Sequence, residues 1–510
     1  MDLYLMKNCQ VIDMVTEETQ QKEILVEKGI IKKIEAPGII KCENTYDLKG
    51  KTIVPGFIDS HMHLIPSCID QYAINLENAK SIEEILERIR IERKKNPQTN
   101  MIIGSRLTEF SLKEKRLPTK EDLDQVAKDI PVFLSSIEFH TVTVNSYVLH
   151  QLNLPLSLEK IIRDKNNHPT GQMVNNASII ARKKMYEMFS EKNLKEAFEK
   201  VYQNIVKNGI TSLIAIEGGY LFHNKHVDFL VKNKLDYPID IDILFSTTDV
   251  NKVKVLGLNK IGGDIFLDGS FRSRNAKISE SYSDAPGETG KLFFSQEEIE
   301  DLIETCILEN LQISVHAVGN IGIKTLINAY ENVYKKYPSK EYRHKIEHFE
   351  LPDREDIPRV KKLGLVLTMH PSYENFFRGE GGMYDQRLGK ERSLKTNPLR
   401  QVFDAGITVA GGSDSHILPA NPLLGVHSAV NHPNINSRLT TFEALKMYTI
   451  NGAYGNKEEH LKGTIEEGKL ADFVVLSDNP LKSAPEALKC ICVEQTIKNG
   501  KVIFSKDEQE

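Results

Sequence analysis

Short apolar runs alternate with amphipathic segments through most of the chain. The runs are rich in β-branched residues, which is typical of buried strands, and the segments between them repeat their apolar positions with helical spacing. We predict strands at residues 52–63, 130–137, 210–216, 265–267, 313–316, 344–348, 365–370 and 407–414. About eight strands that alternate with helices favour an α/β fold built on a closed (β/α)8 TIM-like barrel, rather than an open doubly wound sheet.

Capping signals place several of the predicted helices. Ser295 stands three residues before Glu298, the spacing of a capping box, and predicts a helix from there to about residue 310. Gly209 and Gly364 follow helical segments and predict their C-terminal ends. The other predicted helices are residues 194–208, a segment that ends near residue 337, and residues 356–363 and 398–404.

Both ends of the chain consist of short strand-like runs. Three lie near the start, at residues 3–6, 24–26 and 30–34, and the last forty-odd residues contain a strand and a hairpin that turns at Asn499-Gly500. Neither end has enough strands for a stable sheet, so we expect one β-sandwich built from both termini.

A long segment, from about residue 66 to about residue 200, is too long for a single connection between a strand and a helix. We expect an inserted α/β subdomain there, which covers the barrel mouth and shapes substrate choice. The predicted domains are therefore a composite β-sandwich of residues 1–55 and 465–510, and a barrel domain of residues 56–464 that contains the insertion.

Histidines stand at the ends of several predicted strands. His61 and His63 end the first one, and because positions i and i+2 of a strand share a face, their rings would project together, as two ligands of one metal ion must. The other strand ends carry His140, Glu217, His316, His348, His370 and Asp414. Each residue alone is better explained as a structural histidine or a turn aspartate. Taken together, four of these histidines and an aspartate (His61, His63, His316, His348 and Asp414), at the end of a barrel where catalytic groups lie, predict a metal site that suits zinc or a similar divalent ion.

Composition excludes several classes of protein. The chain has 510 residues, 40% hydrophobic and 27% charged, as in soluble globular proteins, and a net charge of −5 that leaves no basic footprint for nucleic acid. It has no apolar run of the ~18 residues that span a membrane, and its start lacks the features of a signal peptide. Its six scattered cysteines predict a reducing cytoplasm. We expect a small-molecule substrate as the partner, and neither nucleic acid nor membrane; the oligomeric state stays open, with a homodimer as one alternative.

Six stretches carry a resemblance that covers nearly the whole chain in order. They are residues 54–63 (Val-Pro-Gly-Phe-Ile-Asp-Ser-His-Met-His), 267–270 (Leu-Asp-Gly-Ser), 315–320 (Val-His-Ala-Val-Gly-Asn), 343–348 (Arg-His-Lys-Ile-Glu-His), 412–415 (Gly-Ser-Asp-Ser) and 463–476. On these motifs the chain resembles the amidohydrolase superfamily of metal-dependent hydrolases. It is most similar to the branch that includes N-substituted formamide deformylases.

The resemblance implies a role for each matching residue. His61 and His63 would hold one metal ion, and His316 and His348 would approach a second ion or complete a site for a single one. Asp414 would ligate the first ion and act as the general base. The implied cofactor is one or two divalent ions, with zinc as the first choice, because such an ion lowers the pKa of bound water towards ~7 and polarises the scissile carbonyl.

One position departs from the family's pattern. Many relatives carry a lysine just before the Asp-Gly-Ser segment, where carboxylation lets it bridge two metal ions, whereas this chain has Asp264. Three alternatives follow: Asp264 bridges directly, Glu217 bridges, or the site holds one ion. If Asp264 has no role at a metal site, it is a surface or turn residue.

Three residues are candidates for contact with the substrate. His140 occupies the place of the family's substrate-facing histidine. Asp268 and Arg274 belong to the segment after the fourth strand, near the expected mouth of the barrel, where Arg272 or Arg274 would pair with a substrate carboxylate through two hydrogen bonds. A solvated loop explains these arginines equally well.

The predicted function is a metal-dependent hydrolase that cleaves a C–N bond other than a peptide bond. Its substrate would be an amide, an N-substituted formamide or a cyclic amide. Two alternatives stay open: a deaminase or esterase on the same scaffold, and a non-catalytic binding protein that retains the fold. The complete set of expected ligands argues against the second alternative.

Overall fold

The computed structural model describes residues 3–136, 141–152, 160–174, 176–339, 341–379 and 381–508. The chain packs into two compact units. The larger comprises Met1–Leu64, Tyr202–Glu217 and Val227–Glu510, and the smaller comprises Ile65–Val201 and Gly218–His226.

A sheet of eight parallel strands forms the centre of the larger unit, and its strand order follows the chain. The strands are β1 (Phe57–Met62), β2 (Ile210–Glu217), β3 (Asp240–Phe245), β4 (Lys260–Phe266), β5 (Gln312–Ala317), β6 (Lys345–His348), β7 (Val366–Met369) and β8 (Val409–Gly411). The amide of Asp414, just after β8, donates a 2.8 Å hydrogen bond to the carbonyl of His61 in β1, which draws the sheet into a barrel. The predicted α/β barrel is confirmed.

Helices connect the barrel strands. Those of the larger unit after β2 are Val250–Val255, Gln296–Leu308, Asn320–Lys336, Asp356–Leu363, Ser372–Phe377, Met383–Ser393, Leu399–Asp404, Pro422–Val430, Thr441–Met447 and Ile450–Gly455. Ser295 and Glu298 form the predicted capping box. Gly364 ends its helix at φ 66°, a conformation that glycine adopts without a Cβ penalty. All eight residues of β2 are buried, as expected for a parallel strand covered on both faces.

The stretch that we predicted as one strand, residues 52–63, is two. Thr52–Pro55 pairs with the strands of the chain termini, and Phe57–Met62 is β1 of the barrel. Gly56 lies between them. A larger residue does not fit there, because a Cβ atom would lie 2.2 Å from Oγ1 of Thr211. The prediction of a single strand was wrong because apolar periodicity continues through the point where the chain changes sheets.

The two chain ends share one eight-stranded sheet. Seven strands follow one another in the order Lys501–Ser505, Val493–Lys498, Phe473–Leu476, Thr52–Pro55, Leu3–Ile12, Thr19–Glu27 and Ile30–Glu35, and Thr45–Asp47 pairs with Leu3–Ile12. The edge strand Ile30–Glu35 also contacts the segment just before Phe473–Leu476, where the amide of Ile31 donates a hydrogen bond to the carbonyl of Lys469 at 2.8 Å. The enclosed core draws on both ends, with Met6, Ile24, Phe473 and Ile497 among its buried residues.

The smaller unit contains its own six-stranded mixed sheet. Its strands are, in order, Ile161–Arg163, Pro169–Val174, Thr141–Val144, Val132–Ser136, Ile102–Leu107 and Ala73–Asn75. Its main helices are Ile82–Lys95, Lys120–Ala127, Ser146–Leu152 and Asn176–Met188, while Leu64–Asp70, Glu191–Lys207 and Lys225–Asn233 contain residues of both units. Val132–Ser136, the described strand within residues 130–137 that we counted among the barrel strands, therefore belongs to this second sheet, and that prediction was wrong.

The six cysteines, all within the described residues, are free thiols. None of the helices in the described residues has the length and apolar character needed to cross a membrane.

Candidate metal centre

Seven side chains converge at the C-terminal end of the barrel. They come from β1 (His61), the residue after it (His63), β4 (Asp264), β5 (His316), β6 (His348), the residue after β7 (His370) and the turn after β8 (Asp414). None of them is more than 8% exposed. Buried groups of this kind need a partner of opposite charge or a metal ion, because burial of uncompensated polar groups is unfavourable.

The distances around Asp414 fit the ligand spacing of a tetrahedral metal. Oδ1 of Asp414 lies 3.1 Å from Nε2 of His63 and 3.5 Å from Nε2 of His61. Oδ2 of Asp264 lies 3.3 Å from Nε2 of His63. Ligand atoms on a tetrahedral zinc ion, with bonds of about 2.0–2.2 Å, stand about 3.4 Å apart. The same distances permit ion pairs between protonated histidines and the carboxylates.

Three overlapping groups of ligand atoms occur among the described residues. They are His61, His63 and Asp264; Asp264, His316 and His348; and His61, His348 and His370. Within each group the ligand atoms lie within 4.8 Å of one another. Asp264 belongs to two of the groups, as do His61 and His348. Glu217, the alternative bridging residue, is buried at the end of β2 and belongs to none of these groups.

Hydrogen bonds on the outer side of each ring select its tautomer. Nδ1 of His63 faces the carbonyl of Ile216 at 2.9 Å, and Nε2 of His316 faces the carbonyl of Gly269 at 3.1 Å. Because a carbonyl only accepts hydrogen bonds, the facing nitrogen carries a proton, and the other nitrogen of each ring is the one that can bind a metal ion. Such outer partners orient metal-binding histidines. Nδ1 of His316 and Nδ1 of His348 are buried without a hydrogen-bond partner.

The carboxylates make the centre favour positive charge. Burial alone would lower the pKa of His61, but Asp414 and Glu347 outweigh it and raise that pKa well above its ordinary value. For His63 burial is likewise outweighed, by Asp264 and Asp414, and the pKa rises to about 9. Burial would raise the pKa of Asp414, yet His61 and His63 hold it well below its usual range. The site thus keeps Asp414 ionised and stabilises a cation, either protons or a metal.

Burial favours the neutral form of the other three imidazoles. It lowers the pKa of His348 well below its ordinary value, and the neighbouring rings of His316, His370 and His61 lower it further. Burial also lowers the pKa of His316, and that of His370 falls to about 4. A neutral imidazole has a lone pair for a metal.

Unusual backbone conformations aim these ligands. His348 and Asp414 have φ values of 71° and 53°, so the chain leaves β6 and β8 in the left-handed region. Gly262 and Gly263, at φ 107° and 82°, disturb the pairing of β4 with β5 just before Asp264. A Cβ on Gly262 would lie 1.9 Å from the carbonyl oxygen of Ser314, so only glycine fits there.

The predicted substrate-binding residues lie in different surroundings. Asp268 is buried, and its carboxylate accepts hydrogen bonds from the amides of Val318 (2.9 Å), Gly319 (2.8 Å) and Lys277 (2.8 Å). Burial raises the pKa of Asp268 to about 7 despite these bonds. Both carboxylate oxygens thus accept hydrogen bonds from loop amides, and contact between Asp268 and the substrate stays a prediction.

Arg274 and His140 are the other two residues that we predicted to contact the substrate. Arg274 forms a bidentate pair with Asp284, with Nε to Oδ1 at 2.9 Å and Nη2 to Oδ2 at 2.8 Å. The guanidinium group that we expected to bind a substrate carboxylate is therefore paired with a carboxylate of the chain itself. His140 lies outside the described residues, so its role stays a prediction.

Sequence reasoning missed two neighbours of the centre. Glu347 accepts a hydrogen bond from Nδ1 of His61 at 2.8 Å, and the hydroxyl of Tyr373 donates to Oδ2 of Asp414. Regular alternation would place Glu347 and His348 on opposite faces of β6. The left-handed backbone at His348 breaks that alternation, and the sequence pattern does not predict this conformation.

A profile of the amidohydrolase family matches residues 44–504. The chain belongs to this family. It is 28% identical to YtcJ of Bacillus subtilis, a protein with an amidohydrolase name, over 97% of this chain and 98% of that one. It is 24% identical to the N-substituted formamide deformylase of Arthrobacter pascens over 90% of both chains.

Solved structures agree with this assignment. An uncharacterised metal-dependent hydrolase from Pyrococcus furiosus superposes with a TM-score of 0.78 at 25% identity, covering 94% of this chain and 100% of that one. The family of this protein is therefore that of metal-dependent hydrolases with a barrel fold.

Proposed function

We propose that this chain is a hydrolase of a C–N bond other than a peptide bond, in an amide, an N-substituted formamide or a cyclic amide. One observation carries the proposal: buried imidazole nitrogens from β1, β5 and β6 meet two carboxylates, Asp264 and Asp414, at the catalytic end of the barrel. The similarity to an N-substituted formamide deformylase along 90% of the chain supports the choice of bond.

The donor set fits a divalent metal, with zinc as the first choice. Imidazole nitrogens with carboxylate oxygens are ligands that zinc prefers, and the separations near 3.4 Å suit its bond lengths. A divalent cation held there lowers the pKa of water towards ~7 and polarises a carbonyl.

Two cation positions that share Asp264 follow from the ligand groups. His61, His63 and Asp414 hold one position, and His316 and His348 hold the other. Asp264 takes the bridging role for which many relatives use a lysine. The bulge at Gly262 supports this role because it turns the short carboxylate towards His63.

Asp414 is the general base in this proposal. The charges of His61 and His63 keep it ionised, so Oδ1 can accept a proton from the attacking water. The hydroxyl of Tyr373 occupies Oδ2 and fixes the carboxylate plane. After attack on the carbonyl, the same carboxylate passes the proton to the leaving nitrogen.

The proposal also includes a residue for substrate contact and a cellular location. His140 remains the candidate for substrate contact, while Asp268 and Arg274 are committed to partners in the chain. Six free thiols support a reducing compartment such as the cytoplasm.

The proposal is tested by metal analysis and a panel of substrates. Protein purified without chelator should contain near-stoichiometric divalent metal, and should hydrolyse members of a panel of N-substituted formamides, amides and lactams faster than matched esters. The surface variant Glu459→Gln serves as the control preparation and should match the wild type. Metal-free protein with full hydrolytic activity, or protein that acts on esters alone, would refute it.

A further inference from the structure

We infer that His370 is a further ligand of this centre: when a single divalent cation is bound, His61, His348 and His370 hold it in an all-imidazole position, which replaces the two-ion arrangement because His61 and His348 each have one lone pair to give. The inference rests on the proposed metal-dependent function and adds a residue that the family resemblance did not supply. It also assigns His370 a chemical role beyond lining the pocket.

The geometry places His370 among the ligands rather than beside them. Its ring centroid lies 4.7 Å from that of His61 and 4.6 Å from that of His348, and the latter two are 5.2 Å apart. One nitrogen of each of the three rings lies within 4.8 Å of the other two. A single ion can therefore reach all three, with modest adjustment of the rings.

One ring nitrogen of His370 is fixed by a backbone carbonyl, as in His63 and His316. Nδ1 lies 3.1 Å from the carbonyl oxygen of Gly412. Since the carbonyl can only accept, Nδ1 carries the proton and Nε2 keeps its lone pair. Nε2 is buried and has no hydrogen-bond partner. His63 and His316 show the same arrangement, with one nitrogen fixed by a carbonyl, as is typical of metal-binding histidines.

The backbone makes room for this arrangement. A Cβ on Gly412 would lie 2.6 Å from Cβ of His61 and 3.0 Å from Cε1 of His370. Any larger residue would push the two imidazoles apart. A histidine that served only to fill the core would not need this close approach to the side chain of His61.

Three imidazole ligands suit a particular class of ion. Catalytic zinc sites with three histidine ligands leave a fourth position for water or substrate. Imidazole-rich sites favour zinc, copper, iron and nickel over magnesium or calcium. With His370 included, the centre should therefore reject Mg²⁺ and Ca²⁺ strongly, and a cation at this position should be held by nitrogen atoms rather than by carboxylates.

The test uses the full chain, stripped of metal and titrated with Zn²⁺ or Co²⁺ against a competing chelator. His370→Ala removes the ring, and His370→Gln keeps a side-chain donor for the Gly412 carbonyl but supplies no imidazole. Loss of an outer partner of a ligand typically costs 10–100-fold in metal affinity, so loss of a ligand should cost roughly 100-fold or more for one ion. The visible spectrum of bound Co²⁺ should change in both variants. Thermal unfolding of the metal-free proteins shows whether each variant is folded.

His344→Asn is the matched control, because it removes a buried histidine outside the centre and retains an acceptor for the amide of Ile313. It should leave metal affinity and the Co²⁺ spectrum unchanged. If folded His370→Gln binds metal as tightly as the wild type with an unchanged spectrum, while His61→Ala has lost metal, His370 is not a ligand and the proposed function stands. If the wild type binds no metal, the proposed function fails and the inference falls with it.

Discussion

Oε2 of Glu347 lies 2.8 Å from Nδ1 of His61, and both side chains are completely buried. The second carboxylate oxygen accepts the hydroxyl hydrogen bond of Ser314. Glu347 therefore fixes the tautomer of His61 and makes its Nε2 a stronger donor to a metal.

Replacement of Glu347 should weaken metal binding without removing a ligand. Glu347→Gln keeps an oxygen that accepts from His61 but removes the negative charge, so metal affinity should fall roughly 10–100-fold. Chelator competition measures the change. Glu459→Gln, which removes a carboxylate paired with Arg343 outside the centre, should not alter the affinity. Equal affinities in the two variants would show that Glu347 does not tune the site.

Asp414→Asn distinguishes the role of Asp414 as a general base from its role as a metal ligand. The amide keeps the size and an oxygen that can coordinate metal, but it accepts no proton. Turnover should fall by the ~10²–10⁴-fold typical of lost acid–base catalysis, with a much smaller loss of metal. His61→Ala and His63→Ala should lose metal and activity together. Kinetics and metal content are measured on the same preparations.

Near-normal turnover in metal-loaded Asp414→Asn would assign the base elsewhere. Asp264 and Glu217 would be the next candidates, since both are buried carboxylates at the C-terminal ends of barrel strands.

Asp264 and Glu217 are distinguished by metal stoichiometry. If Asp264 bridges two ions, Asp264→Asn should lose at least one equivalent of metal, whereas Glu217→Gln should retain both. Reconstitution of the wild type should not depend on added bicarbonate, because no lysine needs to be carboxylated. Elemental analysis after gel filtration gives the counts. The opposite pattern in the two variants would assign the bridge to Glu217.

The strand ends were predictable because parallel strands in a barrel obey a strict rule. An apolar run that stops at a histidine puts that histidine at the catalytic edge, and His61, His316 and His348 all lie there. Their assignment as ligands remains a prediction. His370 also ends a strand, but its proximity to His61 depends on the absent side chain at Gly412, which no local pattern reveals.

Strand β3 was missed because it carries charged residues. Asp240 and Asp242, both half-buried, interrupt its apolar pattern. Asp242 pairs with Lys260, and Asp240 pairs with Lys498 at 2.7 Å. Charges in a largely buried strand are tolerated when they are paired, but the pairing depends on a fold that periodicity alone cannot supply.

Removal of the C-terminal strands should unfold the terminal sheet. A chain that ends at residue 465 lacks Phe473–Leu476 and the final hairpin, so it exposes the edge of Thr52–Pro55 and the core around Met6 and Ile24. Exposed strand edges and apolar surface promote aggregation. Light scattering should show aggregates of this variant, whereas a chain that ends at residue 505, after the last strand, should remain monodisperse. A dispersed, fully active shorter variant would show that the shared sheet is dispensable.

Acid should destabilise the protein partly through His344. This ring is 1% exposed, accepts a hydrogen bond from the amide of Ile313 at 3.2 Å and stacks on Tyr342 with 5.3 Å between the ring centroids. Burial lowers the pKa of His344 from 6.5 to about 3. Below pH 6.5 the unfolded chain therefore gains a proton that the native state does not take up until the pH falls to about 3.

The free energy of unfolding should fall over this pH window by about 1.4 kcal/mol per unit of pH for each such group. His344→Asn retains an acceptor but cannot ionise, so its unfolding free energy should depend less steeply on pH by that amount. Denaturant unfolding of the metal-free proteins between pH 4 and pH 7 measures the slope. His460→Asn, which removes an exposed histidine, should keep the wild-type slope. An unchanged slope in His344→Asn would mean that His344 is protonated in the native state, contrary to its buried environment.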